Sequence, residues 1–182
     1  MQQPAFTIVT GNAGKLASFT RHFKGVLVFD SADVDLEEIQ SLDSDAIVRD
    51  KAERAYAVVG KPVLVEDVSA GLDRLQGLPG PFIKFFELQL GMDALYQLSQ
   101  PGDKAIVTCT IGLYDGQSMR YAHGKVEGTA VSPRGENGFG FDCCFMPEGQ
   151  TKTYAEMTHT EKDAISHRAL AVADLLTQLQ EL

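Results

Sequence analysis

The sequence predicts an α/β protein with a mixed β-sheet, and three observations carry that prediction. The chain opens strand, turn, helix. Apolar runs then alternate with helical stripes as far as Val65, the signature of parallel α/β packing. Further on, two long β-prone runs meet at Asp115-Gly116, a strong hairpin signal, so part of the sheet is antiparallel.

Phe6 to Thr10 is a short β-prone run, and Gly11-Asn12-Ala13-Gly14 is turn chemistry. Leu16, Phe19 and Phe23 recur at helical spacing. Val26 to Phe29 reads as a second strand, followed by an acidic stretch from Asp30 to Asp45. Ser44 is placed to cap a helix whose stripe is Val48, Ala52, Ala55 and Val59, and Gly60 ends it. The apolar run from Pro62 to Val65 stops at Glu66-Asp67. Gly77-Leu78-Pro79-Gly80-Pro81 is an irregular loop before a helical region at 82–99. The hairpin strands run from Ala105 to Tyr114 and from Gln117 to Ala130. A last helix is capped by Thr160 with Asp163, and Ile165, Ala169, Val172, Leu176 and Leu179 mark its buried stripe.

Length and composition narrow the function. At 182 residues the chain forms one domain, expected over 1–182, without needing disulfides or a structural metal. Hydrophobic residues at 44% and charged residues at 23% exclude a disordered or collagen-like chain. No apolar run is long enough to span a bilayer, and MQQPAFTIVTG lacks the pattern of a secretion signal, so the expected compartment is the cytosol. A net charge of −9 argues against nucleic-acid polymers and membrane surfaces, but not against a small anion met by gathered cations. Cys109, Cys143 and Cys144 fit neither a disulfide framework nor a zinc motif and read as buried reduced thiols.

Four segments could carry chemistry. Thr10-Gly11-Asn12-Ala13-Gly14-Lys15 places glycines, a helix N-terminus and a lysine together, a plausible phosphate cradle. It is not a P-loop, because Val9 and Leu16 stand where that motif needs glycine and Ser or Thr. The alternative is an ordinary strand-to-helix turn. Glu66-Asp67, beyond the carboxyl end of a strand, could hold Mg²⁺, with Glu37 or Glu38 as a further ligand; the alternative is an acidic surface. Lys162 with Ser166-His167-Arg168 offers donors to an anionic or carbonyl-rich ligand. On the stripe above, Lys162 and Arg168 flank the apolar face and His167 points away from it, so the alternative is a solvated face. Phe139-Gly140-Phe141-Asp142, after Pro133-Arg134-Gly135, could stack on and hydrogen-bond a nucleobase, or both rings could be core. Cys143 or Cys144 would be nucleophilic only beside an activating base.

In combination these segments resemble the inosine triphosphate pyrophosphatases. The match runs through TGNAGK, LVEDVSAGLDRLQGLPGPFIKFF, FGFDCCF, KTYAEM and EKDAISHR, in the family's order and over almost the whole chain. LPGPFIKFF looks more like the eukaryotic-type members. The resemblance implies an elongated α/β fold with a long mixed sheet, flanking helices, two lobes and a central cleft. It implies a homodimer and Mg²⁺-dependent hydrolysis of ITP, dITP and XTP to monophosphate and pyrophosphate, which cleanses the nucleotide pool. By position, Thr10, Asn12, Lys15 and Lys51 would hold the phosphates, and Lys84 would lie near phosphates or sugar. Glu38 and Asp67 would hold Mg²⁺, with Asp67 as general base. Phe139, Gly140, Phe141 and Asp142 would line the nucleoside pocket, with Lys162, His167 and Arg168 closing on the base. Val68 stands where the family usually has Ser or Thr, Phe141 where Trp or Tyr is common, and Cys143 where proline is usual. A pyrophosphatase of another nucleotide class, or a nucleotide-binding protein without activity, are the alternatives.

Overall fold

The computed structural model describes residues 5–180. Residues 1–4, part of the stretch read for a secretion signal, and residues 181–182 lie outside the described residues. In chain order the elements are β1 (Phe6–Val9), α1 (Ala13–Phe23), β2 (Phe29–Ala32), α2 (Ser44–Val59), β3 (Val63–Leu72), β4 (Pro79–Gly80), α3 (Ile83–Leu90) and α4 (Ala94–Gln97). They continue with β5 (Lys104–Tyr114), β6 (Met119–Ala130), β7 (Phe145–Pro147), α5 (His159–Ile165) and α6 (His167–Gln180). The strands form one seven-stranded sheet in the order β2-β1-β3-β5-β6-β7, with β4 added to β3. β1 is parallel to β2 and β3, whereas β4 on β3 and β7 on β6 are antiparallel. The sheet is therefore mixed, as the alternation and the Asp-Gly signal predict. β5 and β6 are neighbours joined by residues 115–118, where Asp115 Oδ1 accepts from the N–H groups of Gln117 and Ser118.

Several boundaries differ from the sequence reading, each for a local reason. The second strand is Phe29–Ala32 rather than Val26 to Phe29. The N–H groups of Val26 and Leu27 are spent on the Phe23 carbonyl that ends α1, and pairing with β1 begins at Phe6↔Phe29. Asp43, not Ser44, caps α2: its Oδ1 accepts from the N–H groups of Asp45 and Ala46. β3 does not stop at Glu66-Asp67 but runs through the pair to Leu72. The region 82–99 divides into α3 and α4 at Gly91, which has φ +99°. The last helix is two helices. Thr158 caps α5 with Glu161, not Thr160 with Asp163, and extended Ser166 at ψ 156° separates α5 from α6.

The chain divides into two compact units. The first comprises the described residues up to Asp67, Thr110–His123 and the chain from Ala171; the second comprises Val68–Cys109 and Gly124–Leu170. In the first, the predicted α2 stripe of Val48, Ala52 and Ala55 packs with Val9, Val63 and Val65, and Val59 packs against it half-buried. Phe23 of α1 lies edge-on to Phe6 of β1 and Phe29 of β2, with ring centroids 5.6 and 5.8 Å away. These contacts clamp α1 to the strand whose end carries Thr10. The second unit's core gathers Leu72, Ile83, Leu95, Val107, Phe141, Phe145 and Tyr154 with Cys144 and Met157. Of the thiols, Cys109 and Cys144 are buried as expected, but Cys143 is only half-buried.

Candidate active site

The TGNAGK segment folds as a strand-to-helix turn built by its own side chains. Thr10 Oγ1 accepts from the Asn12 N–H at 3.1 Å, and Asn12 Oδ1 accepts from the Lys15 N–H at 3.0 Å as the cap of α1. Gly11 lies close to the exposed Asp33 carboxylate, whose Oδ1 would be 2.7 Å from a Cβ there and would have to swing aside. Lys15 Nζ then reaches Glu66 Oε1 at 3.1 Å.

β3 supplies the acidic half. Successive strand residues face opposite sides. Val63 and Val65 pack on α2, so Asp67 continues on the α2 side, where Ser44 Oγ donates to its Oδ2 at 2.8 Å. Glu66 faces the other way and pairs with Lys15 of α1. The expectation that this pair lies beyond a strand's carboxyl end holds for β1, not β3. Ile8 is level with Leu64, so parallel register places Glu66 beside Thr10, just past the end of β1. Lys51 of α2 bonds the Glu38 carboxylate and lies 3.4 Å from the Glu66 carbonyl oxygen. Thr10, Lys15, Lys51 and Glu66 line one small recess, together with Ile8, Val9, Phe19 and Leu64. Burial pushes the Asp67 carboxyl above the ordinary range; the Ser44 hydroxyl, Lys15 and Lys51 oppose that shift and Glu38 adds to it.

The second unit brings together the predicted nucleoside residues. Gly140–Cys143 form a short 3₁₀ turn. Asp142 Oδ2 accepts from the Phe139 N–H at 2.9 Å and from Lys162 Nζ. Gly138, at φ +83°, leaves room for this carboxylate, since a Cβ would lie 2.1 Å from Asp142 Oδ2. Lys162 Nζ lies 5.1 Å from the Tyr154 ring centroid and 5.4 Å from that of Phe139, and the Arg168 guanidinium lies 5.7 Å from Phe139. Burial lowers the Lys162 pKa, and Asp142 opposes the shift. The two phenylalanines divide: Phe141 is core, against Phe145 and His167, while Phe139 is half-buried.

His167 does not point away from the apolar face, and Arg168 does not flank a solvated one; both are 2% exposed. The break at Ser166 resets the helical phase, so the buried face of α6 is His167, Arg168, Ala171, Val172 and Leu175. Ala169, Leu176 and Leu179 of the expected stripe are only half-buried. Lys84 lies exposed on α3 and is in neither cluster. Burial raises the pKa of both vicinal cysteines, that of Cys144 to about 12, which removes the thiolate character a nucleophile needs.

Sequence reasoning took Ser44 for a cap and missed its bond to Asp67, and it offered Glu66 only as one of a metal-binding pair, not as the partner of Lys15. Strand alternation alone would have separated Glu66 from Asp67 and sent each to a different helix. Among the described residues no group of three His, Cys, Asp or Glu side chains is placed to hold a metal. Glu38 and Asp67 nonetheless offer only oxygen donors. That set fits a hard divalent cation that takes one or two carboxylates and completes its shell with phosphate and water.

Comparison with known proteins identifies the family. The model of the Ham1 family matches residues 6–178. The inosine triphosphate pyrophosphatase of Yarrowia lipolytica is 42% identical over 179 residues, covering 95% of this chain and 94% of the yeast protein. A HAM1 protein from Coxiella burnetii superimposes with a TM-score of 0.80 at 29% identity, over 97% of this chain and 100% of that one. A nucleoside-triphosphatase / dITP/XTP pyrophosphatase from Mycobacterium abscessus does so with a TM-score of 0.72 at 27% identity, over 94% and 98%. With the family model spanning nearly every described residue, from β1 to the last turns of α6, the chain belongs to the Ham1 family.

Proposed function

We propose that this protein is a nucleoside triphosphate pyrophosphatase that hydrolyses inosine and xanthosine triphosphates, ribo and deoxy, to the monophosphate and pyrophosphate. The observation that carries this reading is the convergence of Lys15, Lys51, Glu38, Glu66 and Asp67 at the end of β1. Two lysines beside a helix N-terminus suit a polyphosphate, and two carboxylates with only oxygen to offer suit its counter-cation. The names of the relatives in yeast and Mycobacterium add the base.

Lys15 and Lys51, with the Thr10 and Asn12 turn, receive the phosphates and stabilise charge on the departing pyrophosphate. Their present partners, Glu66 and Glu38, hold them in place until phosphate oxygens take over. Glu38 and Asp67 would hold Mg²⁺, which would supply charge neutralisation of the triphosphate. Asp67 accepts the proton of the attacking water, a role suited to a carboxylate whose affinity for protons burial has raised. Phe139, Gly140, Phe141 and Asp142 receive the nucleoside, with Lys162, His167 and Arg168 at the base. Donors there favour the purine 6-carbonyl; a 6-amino group would leave them unpaired, a mismatch that can cost several powers of ten in kcat/KM. The active form is a homodimer.

Pyrophosphate release from ITP, dITP, XTP, ATP, GTP and dTTP, each with Mg²⁺ and with EDTA, tests this. Fast metal-dependent release confined to ITP, dITP and XTP is expected. Preference for another nucleotide would overturn the base assignment, and no release from any would leave a binding protein.

A further inference from the structure

We infer that Ser44 is a positioning residue for Asp67, setting the orientation of its carboxylate through the hydroxyl rather than helping to start α2. The inference rests on the reading of Asp67 as the catalytic carboxylate. Two jobs compete at this helix start, and the structure divides them. Asp43 does the capping, its Oδ1 accepting from the N–H groups of Asp45 at 3.0 Å and Ala46 at 3.3 Å. Ser44, already the first residue of α2, is left free of that work, and its one O–H points across to β3.

A carboxylate on a strand can swing about its side-chain torsions unless something fixes it. Asp67 is 9% exposed, and its Oδ2 accepts the Ser44 hydroxyl at 2.8 Å. This bond occupies one oxygen in a fixed direction. Lys15 and Lys51 act on Asp67 through charge, which attracts without orienting. The donor is itself braced. Its neighbour Asp45 engages the His123 ring, Oδ1 to Nε2 at 2.7 Å, so the first turn of α2 is tied to β6 as well as capped.

Positioning partners of catalytic or metal-binding side chains commonly account for about 10–100-fold in activity or metal affinity. The test compares Ser44→Ala, Ser44→Thr and Asp67→Asn. It measures kcat and KM with ITP, the Mg²⁺ dissociation constant of the nucleotide-free protein by calorimetry, and Tm without metal. In Ser44→Ala we expect kcat or Mg²⁺ affinity to fall about tenfold or more. KM for ITP and Tm should stay near wild type, and Ser44→Thr, which keeps the hydroxyl, should restore the loss. Wild-type kcat and metal affinity in Ser44→Ala would overturn the inference, as would a loss that threonine fails to restore. Should Asp67→Asn turn over ITP at the wild-type rate, the reading of Asp67 falls and this inference with it. An inactive Asp67→Asn beside a wild-type Ser44→Ala would overturn the inference alone.

Discussion

The charged cluster of the first unit and the aromatic cluster of the second both bury ionisable groups, but they do it in opposite ways. In the first, Lys15 and Lys51 each pair with a different carboxylate, and each pair keeps one partner partly open: the Lys15 side chain is 22% exposed beside Glu66 at 3%, and the Glu38 side chain 31% beside Lys51 at 15%. In the second, one carboxylate, Asp142, serves a lysine and a backbone N–H beneath aromatic rings, and both partners of the pair are covered, with Asp142 and Lys162 side chains 4% and 11% exposed. Partly open ion pairs exchange partners at little cost, because water and screening already weaken them. A buried pair does not, because breaking it strands a charge in low dielectric. On the proposed reading, phosphate oxygens would replace the carboxylates of the first cluster, and the second would hold a fixed shape for the base.

The largest expected effect separates chemistry from stability within the charged cluster. Asp67→Asn should lower kcat about 10²–10⁴-fold, the range of a lost general base. The same change should raise Tm in the metal-free protein near neutral pH. The folded Asp67 pKa lies above its unfolded value of about 3.9, so the folded state holds more protons across the window between the two. Wild-type stability therefore falls, relative to the asparagine variant, as pH rises through that window. Melting curves should show little difference at the acid end and a growing advantage for the variant above it. A difference that does not change with pH would mean burial does not penalise this carboxylate.

Next comes the aromatic cluster. Asp142→Ala should cost about 3–5 kcal/mol of stability, because it leaves the Lys162 ammonium buried without its partner. Urea unfolding measures this. A loss below about 1 kcal/mol, the scale of a surface pair, would place this cluster in the same class as the charged one.

The smallest effect is local. Thr158→Ala removes the cap of α5, the helix that carries Lys162, and should cost about 1 kcal/mol. Its readout is a lower Tm with kcat for ITP unchanged. A fall in kcat as large as that of Ser44→Ala would show that the aromatic cluster too depends on the fine setting of a helix start.

Patterns that repeat along the chain were legible without coordinates. The α2 stripe, the parallel start of the sheet, the hairpin and the strand-to-helix turn at TGNAGK follow from residue spacing, because local periodicity decides which face of an element is apolar. Composition set the charge, which argues against nucleic-acid polymers as ligands. What the sequence could not decide were the choices between neighbouring residues of equal local merit. Asp43 and Ser44 can each cap a helix, as can Thr158 and Thr160, and only the surrounding contacts choose. Whether β3 ends at Glu66 or runs on depends on strands pairing with it from far along the chain. The burial of His167 and Arg168 depends on one extended residue, Ser166, which breaks the helix and turns its face. Local propensities differ there by less than the free energy of tertiary packing and pairing, so the tertiary structure made each of these decisions.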